Sequence, residues 1–457
     1  MKPLISPETL NLAAYLAAAH NTALPPAVVE KTVIHIIDTL AAVTSGARLE
    51  PGEQGIRFAR SQGGEGLATV VGAGFQTTPM LAALANGMSA HADETDDSHA
   101  FSISHPGCGV VPSAVAVAQQ LGRSGSDLVR AVAAGYDVGT RIVLALGPPK
   151  LNVKKSGRST HALVSLFGAA AAAAVLYRLD ERGMRHMLSY AAQSAAGVTS
   201  WVRDTNHVEK AFVFAGRPAS DGVRAAALVA SGCDGVDDVF SQQPNFLDAI
   251  SKHVDRSQLI DGLGERFEII RTNIKKFAVG SPAQAAIQAA TNLIQANDID
   301  LAGVLSIDIT LPHDLASVVD NREMPDINCQ YLVAGTLLDG AFSFLMAHDS
   351  ARMQAPDVKK LMAVTRLHAD PALSGQRSAE LQIRTQDQGT LYDFVPAVRG
   401  TYDDPMTVVE VDAKAVDLLD PILGSGATRQ FLDALWALPE AESVDAIMQF
   451  LDERVPA

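Results

Sequence analysis

Val304-Leu-Ser-Ile-Asp-Ile-Thr-Leu311 alternates apolar and polar side chains with a period of two, which marks a half-buried β-strand. The stretch separates two kinds of chain. From residue 1 to about 262 the apolar residues recur at helical spacing, as in Val29, Val33, Ile36, Ile37 and Leu40. Ser6-Pro7-Glu8-Thr9 is a helix start, with Pro at the first helical position and an acid in the first turn. Thr78-Pro79 opens another helix, and further ones are predicted over 111–121, 128–146, 162–179 and 184–196. Ala68–Val71 reads as a short strand. The Gly72-Ala-Gly74 after it faintly suggests a dinucleotide loop but lacks the third glycine. Around and beyond Val304 the pattern mixes strands, at 365–368, 379–385 and 390–395, with helices at 282–294 and 331–346. After Pro405 it is helical again, with a break at Ser425–Thr428. The expected fold class is mainly α with a smaller α+β domain. A large all-helical domain is built from both chain ends, 1–265 and 404–457, and the α+β domain is inserted at 266–403.

At 457 residues the chain exceeds one compact core, and 47% apolar with 19% charged residues is globular composition. A net charge of −15, from 36 basic and 51 acidic residues, argues against nucleic acid as a partner. Cys108, Cys233 and Cys329 form neither a disulfide framework nor a paired metal motif, so a reducing, cytoplasmic setting is expected. Met1-Lys-Pro-Leu-Ile-Ser6 lacks the pattern of a secretory leader. The longest apolar run, Leu166–Tyr177, is short for a bilayer and reads as a buried helix, so no membrane partner is expected.

His91-Ala-Asp-Glu-Thr-Asp-Asp-Ser-His-Ala-Phe-Ser-Ile-Ser-His105 concentrates the chemistry, with three histidines and four carboxylates. Taken alone it permits a metal site, with His91, Asp93 and Asp96 or Asp97 as ligands and His99 or His105 completing the shell. It equally permits acid–base chemistry, one His moving a proton while a carboxylate fixes its tautomer. The plain alternative is a polar loop capping the next helix. A second stretch, Lys150, Lys154, Lys155, Arg158 and His161, stands out in an acidic chain. Arg158 can grip a carboxylate in bidentate fashion, and it lies with His161 against the apolar helix. Lys210 shares a loop with Arg203 and His207 and precedes the apolar Ala211-Phe-Val-Phe214, so desolvation makes it a candidate base. His20, His35, His186, His253, His313, His348 and His368 lack such company and read as structural. There is no Gly-x-Ser-x-Gly elbow, phosphate loop or His-Glu-x-x-His motif. The remaining chemistry is proton removal next to a carboxylate, with dehydration, decarboxylation or epimerisation as outcomes and the cations stabilising developing charge.

On these residues the chain resembles the MmgE/PrpD family, which includes 2-methylcitrate dehydratase, cis-aconitate decarboxylase and iminodisuccinate epimerase. The resemblance rests on His91 to His99 with His105-Pro106, on Ser159-Thr160-His161, on Lys210 ahead of Gly216, and on Cys329-Gln330-Tyr331. It implies a helical domain with an α+β lid, usually a homodimer, acting on a small di- or tricarboxylate without cofactor or obligatory metal. It maps catalytic roles onto His161 and Lys210 for proton transfer and onto His105 and Tyr331 for orientation or protonation. Glu94 and Ser98 would position substrate, with Asp97, Arg158 and Lys276 as further binding candidates. Glu94 stands where the family has Asp, and Ser98 where it has Thr. Lys275-Lys276-Phe277 is not followed by the His that the decarboxylases place there, which points away from that activity. The leading expectation is a dehydratase-like lyase. A dicarboxylate epimerase is the runner-up. A metal-dependent hydrolase built on His91–His105 comes next, and a binding protein without catalysis is last.

Overall fold

The computed structural model describes residues 5–148, 155–373 and 377–451. The chain forms two compact units. One comprises Met1–Ala92, Asp96–Asn273 and Leu418–Ala457, and the other Asp93–Thr95 with Ile274–Asp417.

The first unit is helical. Its elements are α1 (Pro7–Ala19), α2 (Pro26–Gly46), α3 (Glu50–Gln62), β1 (Ala68–Val70), β2 (Phe75–Thr77), α4 (Pro79–Ala90), α5 (Gly107–Gln120), α6 (Gly125–Ala145), α7 (Thr160–Leu176), α8 (Glu181–Gln193), α9 (Val208–Ala211), α10 (Arg217–Ala230) and α11 (Phe246–Ile250). The Ser6 side chain caps α1, accepting from Thr9 N, with Pro7 as first helical residue. Gly72 and Gly74 turn β1 back onto β2 with φ of +71° and +65°, so this pair makes an antiparallel hairpin and not a nucleotide loop.

The hub is α7, and its small residues explain why. A Cβ on Gly135 of α6 would sit 2.8 Å from Gly168 O, one on Gly109 of α5 2.4 Å from the Ser165 Cβ, and one on Gly222 of α10 2.6 Å from Ala170 N. Three helices thus approach α7 closely enough for backbone to touch backbone, which only Gly permits at these crossings. The apolar window of this helix, Thr160–Tyr177, is longer than the expected run and long enough to cross a bilayer, but 89% of it is buried inside the protein. One expectation fails here. Residues 231–273 carry only short turns and α11, because Gly232, Gly235, Gly262 and Gly264 interrupt helix formation.

A fully buried arginine holds this irregular segment. Arg141 of α6 places Nε 3.0 Å from Asp137 Oδ2 and donates to the carbonyls of Asp261 and Arg266, each at 2.7 Å. Burial lifts Asp137 to about 6 even though Arg141 opposes the rise.

The second unit contains α12 (Gln284–Ala296), β3 (Val304–Pro312), α13 (His313–Val319), α14 (Cys329–Asp339), α15 (Phe344–Ala347), α16 (Ser350–Met353), α17 (Pro356–Ala363), β4 (Thr365–Asp370), β5 (Ala379–Thr385) and β6 (Thr390–Val395). The sheet order is β4-β3-β5-β6, with β3 parallel to β4 and the other pairs antiparallel. Ile307, Ile309 and Leu311 are buried, as the alternation requires, and share a core with Leu381 and Ile383 and with α12 and α14. The parallel pair needs a long crossover, which α13 to α17 supply. The helix expected over 331–346 is two, because Gly340 leaves α14 at φ +74° and Ser343 recaps α15. The chain after Pro405 is helical as expected, forming α18 (Val408–Leu423), but the break falls at Gly424 and not at Ser425–Thr428, which begin α19 (Ser425–Trp436), followed by α20 (Asp445–Met448).

Candidate active site

The loop expected over Trp201–Lys210 is a 3-10 turn at Thr199–Arg203 and irregular chain over 204–207, and only its last residues enter a helix. α9 runs through a π-turn, Phe212–Gly216, directly into α10. Such a turn inserts an extra residue and is frequent at functional sites. Here it delivers Phe214 between two imidazoles. The Phe214 ring stacks on His161 at 3.8 Å and on His91 at 4.5 Å, with Trp201 edge-on at 4.7 Å. His105 lies 5.1 Å from His161 and 5.2 Å from His91, and His207 lies 5.2 Å from His91.

Helix termini bring these rings together. His91 ends α4, His105-Pro106 leads into α5, His161 is the second residue of α7, and His207 precedes α9. The Thr160 hydroxyl donates to the carbonyl of Ile103 at 2.6 Å, tying the start of α7 to the loop that carries His105. Ile103 has φ +50° and His207 φ +64°. A left-handed β-branched residue is strained, and strain of this kind collects at functional sites.

One carboxylate serves two of the rings. Asp96 Oδ2 lies 2.9 Å from His91 Nδ1, and Asp96 Oδ1 lies 3.3 Å from His105 Nδ1. His91 is fully buried, while His105 and His161 are partly exposed. Burial holds His161 well below the ordinary imidazole range, and the neighbouring His105, His91 and Lys210 push it further down. Burial also lowers His91, against the pull of Asp96. His161 Nδ1 and His91 Nε2 are buried with no hydrogen-bond partner among the described residues. Lys210 is partly exposed, with Nζ 5.4 Å from the Phe214 ring centre and 5.7 Å from that of Trp201, and its backbone N–H donates to Asp204.

His161, Lys210 and His105 are therefore neighbours in the first unit. Arg158, also there, is partly buried and pairs through its backbone with Val198. Lys155 is exposed, and Lys150 and Lys154 lie outside the described residues. Ser98 is buried and bridges to Asn273 through its backbone. Asp97 is a correction. It is fully buried, its Oδ1 accepting from Gly107 N and its Oδ2 meeting Tyr136 OH at 2.6 Å and His35 Nδ1 at 2.8 Å, so its oxygens are used inside the protein. His35, expected to lack company, is the partner of that carboxylate.

Tyr331 and Lys276 belong to the second unit. Tyr331 is buried in its core, donates its hydroxyl to Met346 O at 2.7 Å, and is pushed up to about 12 by burial and then by Asp349. Its hydroxyl is thus hydrogen-bonded within that core. Lys276 is partly buried, donates to Gln288 Oε1 at 3.0 Å and sits over the Phe277 ring. The lysine that meets Glu94 is its neighbour. Lys275 Nζ lies 2.8 Å from Glu94 O and 3.4 Å from Glu94 Oε2.

Asp93-Glu94-Thr95 is fastened within that unit at two further points. Lys414 Nζ donates to Thr95 O at 2.9 Å, and His348 Nε2 lies 3.0 Å from Asp93 Oδ2. His348 Nδ1 lies 2.9 Å from Phe344 O. Its Nδ1 thus faces a group that only accepts, and its Nε2 lies beside a carboxylate. The imidazole is raised to about 9, because Asp93 outweighs the desolvation of a mostly buried ring. A raised pKa stabilises the fold fully below the unfolded value near 6.5, and the gain is lost as pH rises through about 9. The stability difference between the wild type and His348→Gln is expected to be about 3 kcal/mol at pH 6 and to shrink steadily toward pH 9.5. Urea denaturation across that range checks it.

His91, Asp96 and His105 also offer one donor atom each within 4.8 Å of one another, the spacing a metal ion uses. The other expected ligands are engaged elsewhere: Asp93 with His348, Asp97 with His35 and Tyr136, and His99 with Glu268 at 3.2 Å.

The MmgE/PrpD N-terminal domain matches residues 10–258, and the MmgE/PrpD C-terminal domain matches residues 277–438. A cis-aconitate decarboxylase from Aspergillus terreus is 26% identical over 288 residues, which are 59% of this chain and 56% of that protein. A cis-aconitate decarboxylase from Aspergillus terreus strain NIH 2624 / FGSC A1156 is 25% identical over the same length and shares. The chain therefore spans little more than half the length of the curated relatives it matches. With both domains matched across most of its length, this chain belongs to the MmgE/PrpD family.

Proposed function

We propose that this protein is a lyase acting on a small di- or tricarboxylate by removing a proton from the carbon next to a carboxylate. The observation that carries the reading is the state of His161. It is partly exposed, held neutral by burial and by the charged groups around it, and accompanied by Lys210. A neutral imidazole accepts a proton at pH 7, and a nearby ammonium holds an anionic substrate and offsets the charge that develops. The C–H bond breaks toward His161, and the electron pair passes into the adjacent carboxylate. Loss of a neighbouring hydroxyl as water, with a proton returned by a second group, then forms the double bond. Family membership and the name carried by the relatives support lyase chemistry.

A second reading, epimerisation of a dicarboxylate, draws on the pairing of His105 and His161 rings 5.1 Å apart, which offers one ring to take a proton and another to return it.

Proton NMR in deuterated water tests both. The protein is incubated with 2-methylcitrate, citrate, cis-aconitate and hydroxy and imino diacids. Deuterium entering next to a carboxylate, with loss of water or carbon dioxide, supports the lyase. Deuterium entering with all substrate atoms retained supports the epimerase. No exchange with any compound, together with one equivalent of metal in the purified protein, would overturn both and favour the His91–Asp96–His105 donor set.

A further inference from the structure

We propose that Trp201 is a positioning residue that holds the Lys210 ammonium in the candidate active site through the face of its indole ring, with Phe214 supplying a second face. Lys210 Nζ stands over both rings, 5.7 Å from the centre of Trp201 and 5.4 Å from that of Phe214. Both distances fall within the roughly 6 Å over which the negative face of an aromatic ring attracts a cation. The rings meet edge-on at 4.7 Å with an angle of 90°, so the ammonium is attracted along two different directions. A lysine side chain is long and flexible, and fixing it costs rotamer freedom. A ring face offsets part of that cost and leaves the charge in place, whereas a carboxylate would neutralise it.

The backbone around Trp201 is built to keep this arrangement. The turn Thr199–Arg203 is tied to the segment that leads into His161: Thr199 N donates to Gly157 O at 2.8 Å, Ser159 N donates to Gly197 O at 3.1 Å, and Arg158 bridges to Val198. It is tied equally to the helix that carries Lys210. Asp204 N donates to Trp201 O at 3.0 Å, while the Asp204 carboxylate accepts from Lys210 N at 2.9 Å and from Asn206 N at 3.2 Å. The Ser200 hydroxyl donates to Glu209 Oε1 at 3.0 Å. The ring itself packs against Ala162, Val213 and Phe214. Its Nε1 is buried with no hydrogen-bond partner among the described residues, so the N–H adds a cost where a leucine would add none. What tryptophan supplies there and leucine does not is the strongest cation-binding face among the side chains. The consequence for turnover rests on the lyase reading above, in which the ammonium holds an anionic substrate, but the hold on Lys210 does not.

The test uses the full-length protein with fluorinated tryptophans installed at position 201 alone. Each added fluorine weakens the negative face and nearly preserves the shape of the ring. On whichever compound of the acid panel is turned over, kcat/KM is expected to fall stepwise with fluorine number, by about 10-fold across the series. Trp201→Phe should lose less than Trp201→Leu. A role in packing alone would not track fluorine number. A second measurement needs no substrate. In protein labelled with carbon-13 at lysine, the ε-methylene protons of Lys210, identified by their absence in Lys210→Gln, are expected upfield of those of the other lysines through the ring currents of Trp201 and Phe214. In Trp201→Leu they should move part of the way back. An unshifted Lys210 in the wild type, or kcat/KM constant across the fluorinated series, would overturn the proposal. An upfield Lys210 that Trp201→Leu moves back, with no panel compound turned over, would refute the lyase reading and leave the hold on Lys210 standing.

Discussion

His161→Ala is expected to lower turnover by about 10³-fold, within the range that a positioned proton-transfer group contributes. The ring is partly exposed, and no hydrogen-bond partner of its buried Nδ1 lies among the described residues, so its removal should leave the fold largely in place. The main packing loss is the stack on Phe214 at 3.8 Å, which costs about 1 kcal/mol. Thermal unfolding should accordingly shift by only a few degrees, which separates loss of chemistry from loss of structure. The pH profile supplies the second check. His161 is held well below its ordinary value, so the neutral, accepting form persists as pH falls through 6.5. The acid limb of kcat/KM should therefore lie below the usual imidazole range. A variant retaining turnover within tenfold of wild type, or an acid limb at 6.5 or above, would remove His161 from the mechanism.

Arg141→Met is expected to destabilise the first unit by about 3–5 kcal/mol, with a midpoint of thermal unfolding lower by on the order of 10 °C. The guanidinium is fully buried, lies at ion-pair distance from Asp137 and donates to a set of carbonyls between Gln258 and Arg266. Methionine fills much of the volume and supplies none of these hydrogen bonds. The irregular segment 256–271 then loses its internal anchor, and Asp137 is left buried without its cation. The sign of the pH effect follows. Burial already raises Asp137 to about 6. A carboxyl raised in the folded state binds its proton more tightly there than in the unfolded chain. Its penalty is absent below about 4 and grows as pH rises through its folded value. Without Arg141 that value climbs further. The deficit of Arg141→Met should therefore be largest near pH 8 and smaller at pH 5, and Asp137→Asn should recover part of it at pH 8. Equal deficits at both pH values would show that the loss comes from the carbonyls alone.

Much of this architecture is legible along the chain. The alternation in Val304–Leu311 specifies one buried face, and a one-residue slip would expose Ile307, Ile309 and Leu311 together, so its register follows from the pattern. The small residues of α7 signal close helix packing before any partner is known. The density of His and carboxylate between His91 and His105 marks the candidate site, because few structural demands select that composition. The π-turn at Phe212–Gly216 carries no comparable signal. An apolar Phe-Val-Phe reads the same in α and π geometry, so the role of Phe214 between two imidazoles is invisible until the helix is built.

Sequence by itself determined the mainly helical fold class and the family, and it singled out His105, His161 and Lys210, which lie near one another in the first unit. Each of these depends on periodicity or on local spacing, which a chain carries whatever its long-range contacts. Only tertiary structure decided how adjacent acids divide their work. Asp93 and Glu94 turn to His348 and Lys275 in the second unit, Asp96 to His91 and His105, and Asp97 to His35 and Tyr136. It also sent the Tyr331 hydroxyl into a core. The physical reason is that a carboxylate's role is set by which donors reach its oxygens, and those donors come from residues far away in sequence. Neighbours one residue apart in a loop point in different directions, so similar letters end in different environments.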